Sequence, residues 1–201
     1  MTPILLSLAA YLIGAIPFGY LLVKWTTGAD VRSSGSGNIG ATNVLRTTGV
    51  VAGVATLLLD VAKGYVAVLL AGRYTFESPL WMSAAAIAVM VGHAFPIFLR
   101  FHGGKAVASF LGAFLCLTPL PVVAILVVFV IVLAWTKHIS MGSIVAAATF
   151  PLAVWLILQP ERPIVVASIL AAILIIYRHS SNIRRLRQGT ENTFRFGARK
   201  S

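Results

Sequence analysis

Acidic residues are scarce in this chain: Asp30, Asp60, Glu77, Glu161 and Glu191 are all it has in 201 residues, against sixteen Lys and Arg. So sparse and scattered a set excludes a carboxylate-rich cation cage. No clustered His/Cys spacing offers a transition-metal site, so neither a protein-held metal nor a cofactor is expected. Charge of either sign is rare at 10% of residues, while 59% are hydrophobic and the mean hydropathy is +0.93. That excludes most water-soluble folds and makes the bilayer the solvent. The single cysteine, Cys116, excludes an intrachain disulfide and reads as a small apolar residue inside an apolar run. The net charge of +11 points to an anionic partner, either a lipid surface or a substrate, and nucleic acid is not expected.

What the sequence does contain is long apolar runs. Residues 4–23 carry no charge, and as a helix they cover roughly the 30 Å hydrocarbon thickness. A secretory signal would show a basic stretch and a shorter core here, so the run reads as a true span. Further spans are expected at 47–72, 80–99, 106–118, 121–136, 140–158 and 164–177. The fourth falls short of the roughly 17 to 25 residues of a full crossing. Charge decides how it is counted. If all seven cross, thirteen basic residues fall on one side, and Arg73 and Arg162 alone on the other. By the positive-inside rule the N-terminus is then outside and the C-terminus cytoplasmic. If the fourth segment only dips into the bilayer, the basic tail lands outside. The expectation is therefore an all-α membrane protein of seven transmembrane helices, the fourth and seventh short. It forms a single membrane-embedded domain over 1–201, with a basic cytoplasmic tail from about 178.

Polar clusters between the spans then share the cytoplasmic face. Ser34-Gly35-Ser36-Gly37-Asn38-Ile39-Gly40-Ala41-Thr42-Asn43, followed by Arg46, suits phosphate. Glycines let consecutive N–H groups turn toward one anion, hydroxyls and amides add donors, and the arginine adds charge. Gly103-Gly104-Lys105 opens the fourth segment, placing a helix N-terminus and a lysine together. His93, in Gly92-His93-Ala94-Phe95-Pro96, is a hydrogen-bond or proton partner. Ser143 reads as a phosphate or hydroxyl ligand and Ser140 as an N-cap. After the last span come His179, Asn182, Arg184, Arg185, Gly189 and Glu191. Each cluster also has a plainer reading: a flexible linker, a snorkelling lysine, a structural histidine, a lipid anchor. Asp60 and Lys63, three apart on the second span, read as an ion pair on one helix face, with an ion path as the alternative.

In combination, and in this order, the three main clusters resemble the motifs of the bacterial acyl-phosphate-dependent glycerol-3-phosphate acyltransferases, the PlsY family. The resemblance runs over nearly the whole chain, though Ala106 and Ala108 stand where a glycine-richer continuation is expected. It implies transfer of a fatty acyl group from acyl phosphate, drawn from the bilayer, to the 1-hydroxyl of glycerol 3-phosphate from the cytoplasm, at the bacterial cytoplasmic membrane. It implies Ser36, Asn38, Arg46, Lys105 and His179 as the residues of the chemistry. Ser34, Gly35, Gly37, His93, Gly103, Gly104, Ser143, Asn182, Arg185 and Glu191 would be substrate-binding. Within these, Arg46, Lys105, Ser143 and Asn182 are expected around glycerol 3-phosphate. Ser36, Gly37 and Asn38 with Gly103 and Gly104 are expected around the acyl phosphate and the oxyanion. Glu191 is expected to fold the tail back by pairing with an arginine. The chain has no Gly-x-Ser-x-Gly elbow, so direct attack is expected rather than an acyl-serine intermediate. The oligomeric state stays open, and a monomer is compatible with every point. The rival reading is a transporter or flippase for an anionic lipid or metabolite. It lacks a charged route to the outer face.

Overall fold

Proline and glycine set most of the helix boundaries. In the computed structural model, which describes residues 2–194, α1 (Pro3–Ala15) stops before Pro17 and α2 (Phe18–Thr27) resumes after it. A proline lacks the N–H and clashes with the preceding turn, so the first apolar run is a broken span rather than one continuous helix. The Nζ of Lys63 donates to the Ile16 carbonyl at this break at 2.9 Å, beside the Phe18 N–H at 3.2 Å. α2 ends on Gly28 in the left-handed region. A 3₁₀ turn at Val31–Ser33 leads to α3 (Ala41–Thr48), and Gly49, with φ 108°, separates it from α4 (Val50–Tyr74). The second span therefore begins later than the sequence suggests, and Arg46 rides on a separate short helix.

Prolines in the first turn also open α5 (Pro79–Ala94), α7 (Pro119–Thr136) and α9 (Arg162–Arg178). Between them lie α6 (Val107–Leu117) and α8 (Ile139–Leu158), and α10 (Ser180–Arg187) follows α9. Among the described residues five segments are long and apolar enough to cross a bilayer: Pro3–Thr27, Val50–Tyr74, Pro79–Leu99, Pro119–Thr136 and Ile139–Leu158. A sixth is the bent pair α9 and α10, which meet at 56°. The fourth expected span is the 11-residue α6. The tail basics Arg195, Arg199 and Lys200 lie outside the described residues.

α6 is short because it starts deep. The glycine loop before it packs against His93, and His93 neighbours Asp60, ten residues and so about 15 Å along α4. α4 packs most extensively on α6, at a crossing where Gly64 faces the Ser109 carbonyl and Gly112 faces that of Val61. A Cβ on either glycine would collide with the partner backbone, so the two helices touch main chain to main chain. α1 packs on α5, and α7 on α8, α8 on α9 and α9 on α5 complete the bundle. Phe110, Phe114 and Phe150 form its aromatic centre, with ring centroids 4.8 to 5.1 Å apart. The outer surface is apolar, with Trp25 and Trp135 exposed near helix ends as expected of a membrane-interface belt. α4 and α7 make no extensive contact, and a groove opens between them, with α6 at its base.

Candidate active site

The Gly/Ser loop is folded around one side chain. Asn43, on the first turn of α3 and 2% exposed, donates from Nδ2 to the carbonyls of Val31 (3.1 Å), Ser34 (3.1 Å) and Asn38 (2.8 Å). Its Oδ1 accepts from the Ser36 N–H at 2.8 Å. Gly35 and Gly37 take φ of +62° and +69°, which the tight course of the loop requires and which glycine adopts without strain. Asn38 Oδ1 accepts from the Gly40 N–H at 2.8 Å. Asp30 caps the 3₁₀ turn and pairs with Arg32, whose guanidinium holds the Asp30 carboxyl down to about 2. A small apolar cluster of Val23, Val31, Ile39, Val44 and Leu99 pins the loop to α2.

The Gly103-Gly104 segment is held from two sides. The Gly104 N–H donates to the His93 carbonyl at 3.0 Å, while Arg178 donates from Nη2 to Gly103 O (2.8 Å) and from Nε to Gly104 O (3.0 Å). The Arg178 guanidinium also lies over the Phe95 ring. This fixes Lys105 at the start of α6.

The tail returns to α8. Glu191 Oε1 accepts from Ser140 Oγ (2.9 Å) and Asn182 Nδ2 (2.6 Å), and Oε2 accepts from Arg185 Nε (2.6 Å). Ser140 is therefore not the N-cap of α8. That place belongs to His138, without a side-chain bond, because the Ser140 hydroxyl is drawn to the carboxylate. The chain continues along the α7–α8 turn, where Asn192 O meets His138 Nδ1 and the Phe194 N–H donates to Lys137 O.

These segments enclose one cavity of about 530 Å³. Ser36, Asn38, Arg46, Lys105 and His179 all line it, and so do His93, Ser143, Asn182, Arg185 and Glu191. Ser34, Gly35, Gly37, Gly103 and Gly104 do not. Ser34, Gly35 and Gly37 are exposed and shape their loop, while Gly104 is buried with its N–H already spent on the His93 carbonyl. A smaller polar cavity of about 210 Å³ adjoins, sharing Ser36, Asn38, Lys105 and Arg185 and adding Arg178 and Ser180. The large cavity is polar at its mouth and apolar in depth, running between Val54 and Leu57 of α4 and Leu126 and Phe129 of α7.

The electrostatics follow from crowding and burial. Burial pulls Lys105 down to about 8, with Arg185, Arg46 and Arg178 adding repulsion and Glu191 opposing it. His179, 2% exposed, stands at the bend between α9 and α10. Its Nδ1 lies 2.8 Å from the Ile175 carbonyl, which can only accept, so Nδ1 carries the hydrogen and Nε2 keeps its lone pair. Burial pushes Glu191 up, but hydrogen bonds from Asn182, Arg185 and Ser140 outweigh it and hold the carboxyl below its ordinary value. Asn182, 4% exposed, has Nδ2 committed to Glu191 and an Oδ1 without a partner. Ser143 donates to the Ile139 carbonyl, which leaves it free to accept.

Residues 4–189 match the family model described as glycerol-3-phosphate acyltransferase. The chain belongs to the glycerol-3-phosphate acyltransferase family. Its relatives include glycerol-3-phosphate acyltransferases of Geobacter sulfurreducens, 47% identical over 97% of this chain and 99% of that one, and of Geobacter metallireducens, 49% identical over 96% and 97%. Among solved structures it resembles PlsY (YgiH), an integral membrane glycerol 3-phosphate acyltransferase. Against the glycerol 3-phosphate form the TM-score is 0.90 at 35% identity, covering 97% of this chain and 96% of that one. Against the lysophosphatidic acid form it is 0.88 at 33%, with the same coverage. This acyltransferase is thus a PlsY-family membrane protein of phospholipid synthesis.

Sequence reasoning left three members of the acyltransferase site out of the candidates. Asn43 was only the last letter of the glycine motif, although an asparagine at the opening of a helix behind a Gly/Ser loop is a signal for loop closure. Arg178 counted merely as tail charge. Asp60, which lines the cavity, read as half of an ion pair or as part of an ion path, not as a site residue, and its pair with Lys63 is present at 2.8 Å.

Proposed function

We propose that this acyltransferase moves a fatty acyl group from acyl phosphate to the 1-hydroxyl of glycerol 3-phosphate, giving lysophosphatidic acid and inorganic phosphate by direct attack. The observation that carries this is a single cavity with Arg46, Lys105 and Arg185 at its mouth and a mainly apolar groove beneath, facing the gap between α4 and α7. Two phosphates bring about −1.5 to −2 charges each and need such a cluster of cations. A fatty chain needs the groove, and the gap lets it arrive from the bilayer.

Arg46 and Lys105 hold the phosphate of glycerol 3-phosphate. Asn182 Oδ1 and the Ser143 oxygen, both left as acceptors, accept hydrogen bonds from the glycerol hydroxyls, so they recognise the alcohol rather than the phosphate. Ser36 and Asn38 meet the donor's phosphate and the developing oxyanion. The C1 hydroxyl oxygen bonds to the acyl carbon, and the acyl carbon to phosphate oxygen bond breaks. The hydroxyl proton passes to the departing phosphate, whose second pKa is about 6. The protein chiefly positions two anions and stabilises the oxyanion. The seven apolar segments all cross the bacterial cytoplasmic membrane, N-terminus outside, with the site on the cytoplasmic face where the basic residues gather.

The test is purified protein with glycerol 3-phosphate and long-chain acyl phosphate, assayed for inorganic phosphate and lysophosphatidic acid against Arg46→Ala. Equal amounts of both products, lost in the variant, are expected. Phosphate without the lipid overturns the acceptor, and no product from folded protein overturns the donor.

A further inference from the structure

Three ionisable side chains meet in the middle of the bundle. Asp60, Lys63 and His93 are 1%, 4% and 4% exposed, on helices that traverse the apolar layer. The Lys63 Nζ lies 2.8 Å from Asp60 Oδ1, and His93 Nδ1 lies 3.6 Å from the same oxygen. Removing such charges from water is costly, and in a membrane helix the cost points to a role. Bracing the chain accounts for part of it, since Lys63 satisfies the Ile16 carbonyl at the α1–α2 break. It does not account for Asp60 and His93, which both line the substrate cavity while Lys63 does not.

The geometry runs in one direction. Nδ1 of His93 is buried, lacks a hydrogen-bond partner and faces the Asp60 carboxylate. The opposite edge of the ring, with Nε2, lies against Gly104, in the space a Cβ on that residue would fill. The Gly104 N–H is tied to the His93 carbonyl, and the next residue is Lys105. A carboxylate that orients an imidazole through Nδ1 is a familiar positioning device. Here the oriented ring is the wall on which the lysine-bearing loop rests.

We infer that Asp60 is a positioning residue for glycerol 3-phosphate: it orients His93, and the ring's packing on Gly104 sets where the Lys105 ammonium meets the phosphate. This rests on the proposed role of Lys105. A purely structural ion pair makes a different prediction. Asp60→Asn alone strands the Lys63 charge and destabilises the protein whichever account holds. The double variant Asp60→Asn/Lys63→Met removes both charges, so its melting temperature should rise above that of Asp60→Asn, short of the wild type by the bond Lys63 gives the Ile16 carbonyl. Its affinity for glycerol 3-phosphate, measured by calorimetric titration without any acyl donor, should stay at least tenfold weaker. Gly104→Ala pushes on the ring with all charges in place and should weaken the same affinity similarly. A double variant that regains both stability and affinity overturns the inference, and so does a Gly104→Ala protein with wild-type affinity. Because no donor is present, a wild-type protein that binds glycerol 3-phosphate yet does not use acyl phosphate would count against the donor and leave this comparison intact.

Discussion

The Nε of Arg185 stands 2.6 Å from Oε2 of Glu191, and through that carboxylate the tail is fastened to α8. Three donors converge on its two oxygens, and all three, Ser140, Asn182 and Arg185, line the large cavity. Glu191→Gln offers one oxygen and an NH₂ in their place, so at least one donor is left facing another. Loss of charge-assisted bonds of about 1.5 to 3 kcal/mol each should lower the melting temperature and free Asn182 to turn. The kcat/KM for glycerol 3-phosphate should fall with it. Because the folded carboxyl titrates below its ordinary value, its stabilisation is full above pH 4.5 and is lost as pH falls through the folded value. The wild-type melting temperature should drop in that acid range, and the drop should be smaller in Glu191→Gln.

Asn43 is the corresponding fastener of the Gly/Ser loop. Asn43→Ala would leave the Ser36 N–H and the Asn38 carbonyl without the partner it supplies, at about 1 to 3 kcal/mol for each group that water cannot reach, while the Val31 and Ser34 carbonyls keep only their backbone donors. The loop lies at the end of the bundle, so the spans should persist while Ser36 and Asn38 lose their positions. A kcat/KM reduced on the order of 100-fold, with helical circular dichroism unchanged, is the expected result. Asn43→Asp should be no better, because an oxygen would then face three carbonyl oxygens.

Arg178 makes a more geometric prediction. Its Nε and Nη2 reach two consecutive carbonyls, which a planar fork can do and a lysine ammonium cannot match. Arg178→Lys should keep the charge yet raise the KM for glycerol 3-phosphate about tenfold, or about 1.4 kcal/mol, by loosening the Gly103-Gly104-Lys105 segment. Steady-state kinetics with the acyl donor saturating would read it.

What sequence could and could not reveal divides along the range of the forces. The apolar runs were legible because crossing a bilayer imposes length and lack of charge locally, and Pro17 already marked the break that the uncharged run concealed. The convergence of the loop, the glycine turn, the α7–α8 turn and the tail on one face followed from counting basic residues. The recessed start of α6 was not legible, since it depends on Gly104 meeting His93 and Gly64 meeting Ser109, contacts between helices. Ser140 failed as an N-cap for the same reason: its partner, Glu191, lies 51 residues away. The glycines of both motifs looked like phosphate ligands because pattern shows where the backbone is free to turn. It does not show which N–H groups the fold has already used.

Lys105 links this geometry to pH. With burial holding it down to about 8, the free site loses its ammonium as pH rises through that value, while a bound phosphate favours the charged form and raises it. Affinity for glycerol 3-phosphate should therefore be level with respect to this group below about pH 8 and weaken above it. Stability of the unliganded protein should move the other way. The folded value lies below the ordinary lysine value of 10.5, so the fold disfavours the charged lysine, and stability rises with pH from about 8 toward 10.5 and is level with respect to this group below 8. Calorimetric titration and thermal unfolding of the unliganded protein, each at pH 6.5, 8 and 9.5, separate the two trends. In Lys105→Arg, whose guanidinium does not titrate in this range, the alkaline loss of affinity should disappear even if absolute affinity falls. An alkaline loss that persists in this variant would assign the titration to another group.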